Sequence, residues 1–461
     1  MAEDPKEENK EKKKKVRLKQ IPTTRFARGM KIAKLTATVS AQALGGKMAS
    51  LFSSKAEKEI ERITTQVRQA QKIVEALSQM KGAAMKLGQI LSIHGEHLFP
   101  REVVDVLARL QQNSDEMDFS EIEKVLKAEL GEKYERDLTQ VSETPIASAS
   151  IGQVHKGLHA SSQTPVAVKV QYPGVERSID SDVNSLASIA GVLTKVPAVE
   201  SFNAVTEEIK TLLHQETDYL AEAKHLELFR KRFESDEAIV IPKAFSDVST
   251  SRVLTTELVG GISVQAFADS TASPTARASL GKKYLEVFYT ELFDLGLVQT
   301  DPNFANYKVE WAFGIDDPRL VLLDFGAVKT FDRGFRTRYR RLSRVCLDDD
   351  FEGIRREAVD IGFLKEEDSK EQVELHYQMV KLFMEPFRKD LQPYRWHESN
   401  LIERAKRIVP RFIFSFKLRP PPRDVIFLNR KIVGAYFFCS AIKAVFDPRQ
   451  LLESFIDSEK K

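Results

Sequence analysis

Two stretches, 298-VQTDPNFANYKV-309 and 320-LVLLDFGAV-328, decide how this chain is read. Asp301 and Asn306 stand five residues apart, and an apolar run then ends in Asp-Phe-Gly at Asp324, Phe325 and Gly326. Together the two pieces would assemble two metal-holding groups and a catalytic-type carboxylate around a nucleoside triphosphate. A DFG alone carries almost no information. Asp301 alone reads as a turn or helix cap, because Asp-Pro is a common starting signal. That plainer reading leaves Asn306 and the DFG unexplained.

Working outward, Lys169 ends the apolar run Pro165-Val166-Ala167-Val168, a strand pattern that sends its ammonium to one face. On its own it would be an edge-strand Lys that snorkels to water; with the DFG downstream it becomes a candidate for holding nucleotide phosphates. Such a Lys needs a carboxylate to keep it in register. The segment 215-QETDYLAEA-223, read as one helix, offers Glu216, Asp218 and Glu222. A solvated acidic face is the ordinary reading, yet Glu216 and Asp218 would point about 200° apart on that helix, so some of these acids face the protein. Glu222 is the candidate partner, and Glu216 stays open.

Asp324 is assigned to magnesium, a hard cation that prefers oxygen ligands. Asn306 supplies the second protein oxygen, and Asp301 serves as base or as the group that orients a nucleophile. Ahead of the first strand lies 145-PIASASIGQV-154, where Ala147, Ser148, Ala149 and Ser150 form the candidate nucleotide-covering loop. Protein kinases place a Gly-rich loop there. Alanine resists positive φ and puts a methyl group where bare backbone would approach phosphate, so this loop is stiffer. Gln299 and Thr300 stand where a protein kinase has His and Arg, Asn303 replaces a Lys, and no Ala-Pro-Glu follows Phe325. Those are the parts that bind and phosphorylate a protein substrate.

A chain of 461 residues predicts two or more packed units. Its 42% hydrophobic and 30% charged residues are those of an ordinary globular protein, and a net charge of +3 gives no argument for nucleic acid. Cys346 and Cys439 sit in apolar settings without CxxC spacing and read as reduced core residues. No window reaches the roughly 18 apolar residues that a membrane span requires. The charged N-terminus resembles neither a secretion signal nor a transit peptide. The expected location is therefore cytoplasmic, with peripheral membrane contact as its extension. Residues 1–20 read as a solvated mixed-charge tail or, more sharply, as a basic patch for anionic lipid headgroups; 26–52 is an interfacial-helix candidate.

From Glu57 an amphipathic helix carries Ile60, Ile63, Val67, Ala70, Val74 and Leu77 on one stripe. Ser120 is expected to cap a second helix that Gly131 ends. β-prone runs follow at 151–158, 165–172 and 252–261, helical pattern at 178–195, 204–232 and 274–296, and mostly helix beyond 330. The expected organisation is a tail (1–55), a helical extension (56–140), a β-rich N-lobe with inserted helices (141–262) and a helical C-lobe (263–461). The fold class is α+β and bilobal.

The pieces MKLGQILSI (85–93), PIASASIGQVH (145–155), VAVKVQYPGV (166–175), ETDYLAEA (216–223), LTTELVGG (254–261), QTDPNFAN (299–306), LLDFGAV (322–328) and LRPPP (418–422) occur in order. Over residues 57–450 the chain resembles the UbiB family of atypical kinase-like proteins, nearest its coenzyme-Q branch. The resemblance places the family's KxGQ motif on Lys86, Gly88 and Gln89, its ExD motif on Glu216 and Asp218, and its nucleotide-holding Lys and paired Glu on Lys169 and Glu222. It implies a protein-kinase-like fold with KxGQ helices folded over the peptide-docking pocket. It also implies ATP/ADP and Mg2+ as cofactors, and a lipid or membrane surface and quinone-biosynthesis enzymes as partners. The chain departs from the family in showing no transmembrane segment. Three activities follow as expectations: an ATPase-like atypical kinase supporting ubiquinone biosynthesis, an active kinase for a protein or small molecule, and a non-catalytic nucleotide-gated membrane scaffold.

Overall fold

The computed structural model describes residues 116–457 except 150, 182, 185–206, 208–209, 212 and 417–421. Lys86, Gln89, Ser150, the N-terminal tail, the extension helix and most of the Pro-rich 418–422 motif lie outside the described residues. The chain divides into two compact units, Met1–Gly157 with Val168–Pro197 and Leu158–Ala167 with Ala198–Lys461.

In the first unit, helix α1 (Phe119–Leu130) buries Ile122, Val125, Leu126 and Leu130, one face at three- and four-residue spacing. Gly131 stops it at φ +56°, a conformation that L side chains rarely adopt. Ser120 is not its cap: it lies inside the first turn, and Asp118 takes the N-cap position without a side-chain bond. Strands β1 (Leu138–Thr139), β2 (Ala147–Ser148), β3 (Gly152–His159) and β4 (Thr164–Gln171) follow. The order β1-β3-β4-β6, with β2 also on β3, makes the first sheet. Residues 152–157 of β3 and 168–171 of β4 belong to the first unit, and the rest of these two strands to the second. On β4 the β-branched Val166, Val168 and Val170 are fully buried, and the alternation leaves Ala167 and Lys169 half-buried on the opposite side.

In the second unit helix α2 (Tyr219–Arg232) is followed by β5 (Ile239–Val240), β6 (Val253–Glu257) and β7 (Ile262–Ser263). Helix α3 (Pro274–Tyr289) opens with Ser273 accepting from the Ala276 amide at 3.0 Å and Pro274 in its first turn. It continues as a π-helical turn, Thr290–Leu295, and stops at Gly296, φ +67°. The expected helix over 274–296 is therefore present, with its last turn widened. Then come β8 (Leu297–Gln299), β9 (Tyr307–Glu310), β10 (Arg319–Leu322) and β11 (Val328–Thr330). They form a four-stranded sheet, β5-β10-β9-β7, and a two-stranded ladder, β11-β8. Helices α4 (Arg333–Leu347), α5 (Phe351–Ile361), α6 (Lys370–Phe383), α7 (Leu401–Ser415), α8 (Arg423–Ala441) and α9 (Pro448–Ile456) complete it. Among the described residues no helix is long and apolar enough to cross a membrane. The α+β class read from the sequence is the class observed.

Candidate functional site

The described residues of the loop read as nucleotide-covering pair with the strand that follows. Ala147 and Ser148 pair as β2 with Val154 and Gln153 of β3, and the Ala149 amide donates to the Gly152 carbonyl at 2.8 Å. Ala147 and Ser148 are exposed. Lys169 lies half-buried on β4.

In the second unit two short ladders gather the predicted residues. Strands β9 and β10 pair antiparallel with Tyr307 opposite Leu322, and one step further the Leu323 amide donates to the Asn306 carbonyl at 3.0 Å. Asp324 is thereby next to Asn306. Strands β8 and β11 pair with Gln299 opposite Val328, and the Thr300 amide donates to the Ala327 carbonyl at 2.8 Å, bringing Asp301 beside Gly326. Within the Asp301–Asn306 loop, Asn303 accepts from the Ala305 amide and fixes a one-turn 3-10 helix. That turn aims Asn306 Nδ2 back at the Asp301 carbonyl at 3.1 Å and at Asp301 Oδ2 at 3.4 Å. The amide oxygen of Asn306 is then the end left for a cation. Asp324 Oδ1 accepts from the Gly326 amide at 2.9 Å, which orients the carboxylate.

Helix α2 packs on the Asp-Phe-Gly segment. Phe229 and Phe325 rings are 4.9 Å apart, and His225 Nδ1 is 3.3 Å from the Phe325 carbonyl. Burial holds the His225 imidazole below its ordinary pKa, with the Phe325 carbonyl pulling the other way. Glu222 is buried, and a methyl group on Gly326 would lie 3.2 Å from its Oε2 and 3.4 Å from Asp324 Oδ1. Glycine at 326 thus keeps two carboxylates close to one backbone. The single helix expected through 215–223 is broken. Residues 213–216 end one helical turn, Asp218 has φ −93° and ψ 79°, and its carboxylate caps α2 by accepting from the Ala221 amide at 3.0 Å. Glu216 and Asp218 therefore sit on either side of a break, and the angle computed for one continuous helix does not apply.

Helix α8 closes the other side of the Asp301 loop with groups that pattern reading missed. Arg430 Nη2 lies 3.9 Å from Asp301 Oδ1, both side chains being largely buried. Next to it, Lys431 is paired with Glu291 of the π-helical turn at 2.9 Å, at 1% and 2% side-chain exposure. Burial pushes the Glu291 carboxyl up to about 7, and Lys431 holds it down against a larger rise. The available signal was the Arg-Lys pair inside the apolar run IFLNRKIVGAYFFC, since a charge on a buried helix face needs a partner.

Among the described residues no three His, Cys, Asp or Glu side chains are placed to hold a metal ion by themselves. Magnesium does not require that. It takes one or two carboxylate or amide oxygens and fills its shell with phosphate and water. The donor set of Asp324 and Asn306 fits it.

Strands, loops and helices of this kind define a kinase-like protein. Residues 109–358 match the ABC1 atypical kinase-like domain. The chain belongs to that family, also called UbiB, near its COQ8 branch. It is 32% identical to the mitochondrial atypical kinase COQ8B of Rattus norvegicus over 388 residues, 83% of this chain and 71% of that protein. It is 29% identical to the probable serine/threonine-protein kinase abkA of Dictyostelium discoideum over 458 residues, 94% of this chain and 80% of the relative. A solved complex of Rv3197 with erythromycin from Mycobacterium tuberculosis shares the fold. Its TM-score is 0.58 at 23% identity, covering 87% of this chain and 98% of that one.

Proposed function

We propose that the protein is an atypical kinase-like ATPase that binds Mg-ATP and Mg-ADP and supports coenzyme Q or related lipid biosynthesis at a membrane surface. The observation that carries this reading is the convergence of Asp301, Asn306 and Asp324 at the ends of two ladders. Bound magnesium would neutralise charge on the phosphates, and Asp324 and Asn306 would hold it. Asp301 would orient the attacking water and take its proton. Lys169 would hold nucleotide phosphates under the loop Ala147–Ser150, with Glu222 as the carboxylate of the same machinery. Lys86, Gln89, Glu216 and Asp218 would regulate access. The coenzyme Q assignment follows the COQ8 relatives, and membrane contact would fall to residues 1–52.

The test is ATP binding and hydrolysis by the purified protein with Mg2+ or EDTA, with and without anionic liposomes and a quinone-precursor mimic. Magnesium-dependent binding, turnover raised by lipid, and at least about tenfold weaker magnesium-dependent binding in Asp324→Asn are expected, since the metal's carboxylate ligand is lost. A protein that binds no nucleotide with Mg2+ would overturn the proposal. Transfer of phosphate to a separate substrate would replace ATPase with kinase, and nucleotide-dependent liposome binding without turnover would replace it with a scaffold.

A further inference from the structure

The buried Glu291–Lys431 pair is not near solvent, and it is not isolated. Lys431 Nζ is also 3.4 Å from the Tyr307 hydroxyl, to which the Tyr284 hydroxyl comes within 3.5 Å. Tyr307 donates to Gln299 Oε1 at 3.2 Å, and Gln299 Nε2 donates to the Asp301 carbonyl at 2.8 Å. That carbonyl is the one Asn306 Nδ2 also reaches. A continuous polar chain therefore runs from the π-helical turn after α3, through α8 and the first residue of β9, to the main chain of Asp301.

Energetics make the placement informative. A buried ion pair is a weak source of stability, because desolvating two charges offsets most of their attraction, and apolar residues of similar size often serve as well. Lys431 and Glu291 are flanked by apolar and aromatic packing that could have been continued. Phe438, on the same helix, stacks on Tyr284 at 4.1 Å. What an apolar pair cannot supply is a directed donor at the Tyr307 hydroxyl, and hence a fixed position for Gln299 and the Asp301 carbonyl.

We infer that Glu291, Lys431, Tyr307 and Gln299 form a strut that sets the position of the Asp301 loop. They are positioning residues, not catalytic ones. The inference rests on the ATPase reading for its kinetic readout, and it has a second readout that does not.

The experiment compares the full chain with Lys431→Met, with the double variant Glu291→Met/Lys431→Met, and with Tyr307→Phe. The single Lys431→Met leaves Glu291 buried and unpaired and is expected to lower Tm. The double variant removes both charges and is expected to recover Tm. If the strut positions the loop, the recovered double variant still loses about tenfold or more in kcat, because small misplacement of a reacting group is costly, while ATP affinity stays within about twofold. Tyr307→Phe removes one hydroxyl from the middle and shows the same split in a folded protein. Amide hydrogen exchange over residues 299–306 reads the strut without any turnover: faster exchange there in the double variant and in Tyr307→Phe is expected. A double variant and a Tyr307→Phe with wild-type kcat and wild-type exchange in that loop would overturn the inference, as would a fall in ATP affinity matching the fall in kcat. Should the wild-type protein show no turnover, the ATPase reading fails and the exchange measurement alone decides the strut. If the double variant does not fold, Tyr307→Phe decides.

Discussion

Gly434→Ala is expected to cost the folded protein about 3 kcal/mol, the upper part of the range for overpacking a well-filled site. A β-carbon at 434 would lie 2.1 Å from Cβ and 3.0 Å from Cγ of Pro302. A flexible neighbour would swing away. Pro302 cannot, because its ring is closed onto the backbone, so α8 or the Asp301 loop must move. The substitution also brings a gain, since alanine inside a helix is favoured over glycine by about 1 kcal/mol. The clash is the larger of the two. Gly260 provides the control: a methyl there meets only Glu310 Oε1 at 3.9 Å, an ordinary contact. Urea unfolding of the two alanine variants beside wild type checks this. A Gly434→Ala protein as stable as Gly260→Ala would mean that α8 is not seated on Pro302. Because Pro302 follows Asp301 directly, the same variant is expected to lose the proposed Mg-ATP turnover ahead of its unfolding temperature.

The helices and strands that carry local signals were readable. The β-prone run at 165–172 marked β4, and the helical pattern over 274–296 marked α3 and the turn after it. The spacing of Asp301, Asn306 and Asp324 was enough to single those residues out, but what draws them together is the register of β9 on β10 and β8 on β11, which spacing does not encode. The break at Thr217–Asp218 escaped because an Asp that caps α2 looks, letter by letter, like an Asp on a helix face. Ser120 fails as a cap for the converse reason: Ser is a favoured N-cap type, yet Asp118 takes that position and the helix starts two residues earlier, with the Phe119 ring 5.4 Å from that of His155. Glu291 and Lys431 were invisible as partners because they are far apart in the chain and meet only when α8 docks under the Asp301 loop. Pattern captured the elements and the chemistry-bearing letters; long-range packing supplied the break, the seat at Gly434 and the strut.

Acid is expected to destabilise the protein through His376, and His376→Leu is expected to remove that sensitivity. The imidazole is buried on α6, 5.5 Å from the Phe363 ring and 6.4 Å from Phe412. Those rings belong to a core with Ala358, Leu364, Val373 and Phe416. Burial lowers the His376 pKa from 6.5 to about 4, with Asp368 giving a small opposing pull. Between those two values the unfolded chain binds a proton that the folded chain refuses. Its contribution is therefore full above pH 6.5, falls as the pH drops, and is gone once the pH passes through about 4. The depression corresponds to about 3 kcal/mol at the acid end. Glu291 acts with the opposite sign: its carboxyl is raised from 4.5 to about 7, so the folded chain holds the extra proton there and gains stability as the pH falls through that window. The two slopes offset each other in the wild-type protein, which makes the total pH curve a poor probe of either. The difference between wild type and His376→Leu isolates the histidine, since Glu291 is common to both. Unfolding free energies at pH 7.5, 6, 5 and 4.5, about the range these shifts span, should show the variant gaining steadily on wild type towards acid. Parallel curves would mean that the His376 ring is solvated in the folded chain.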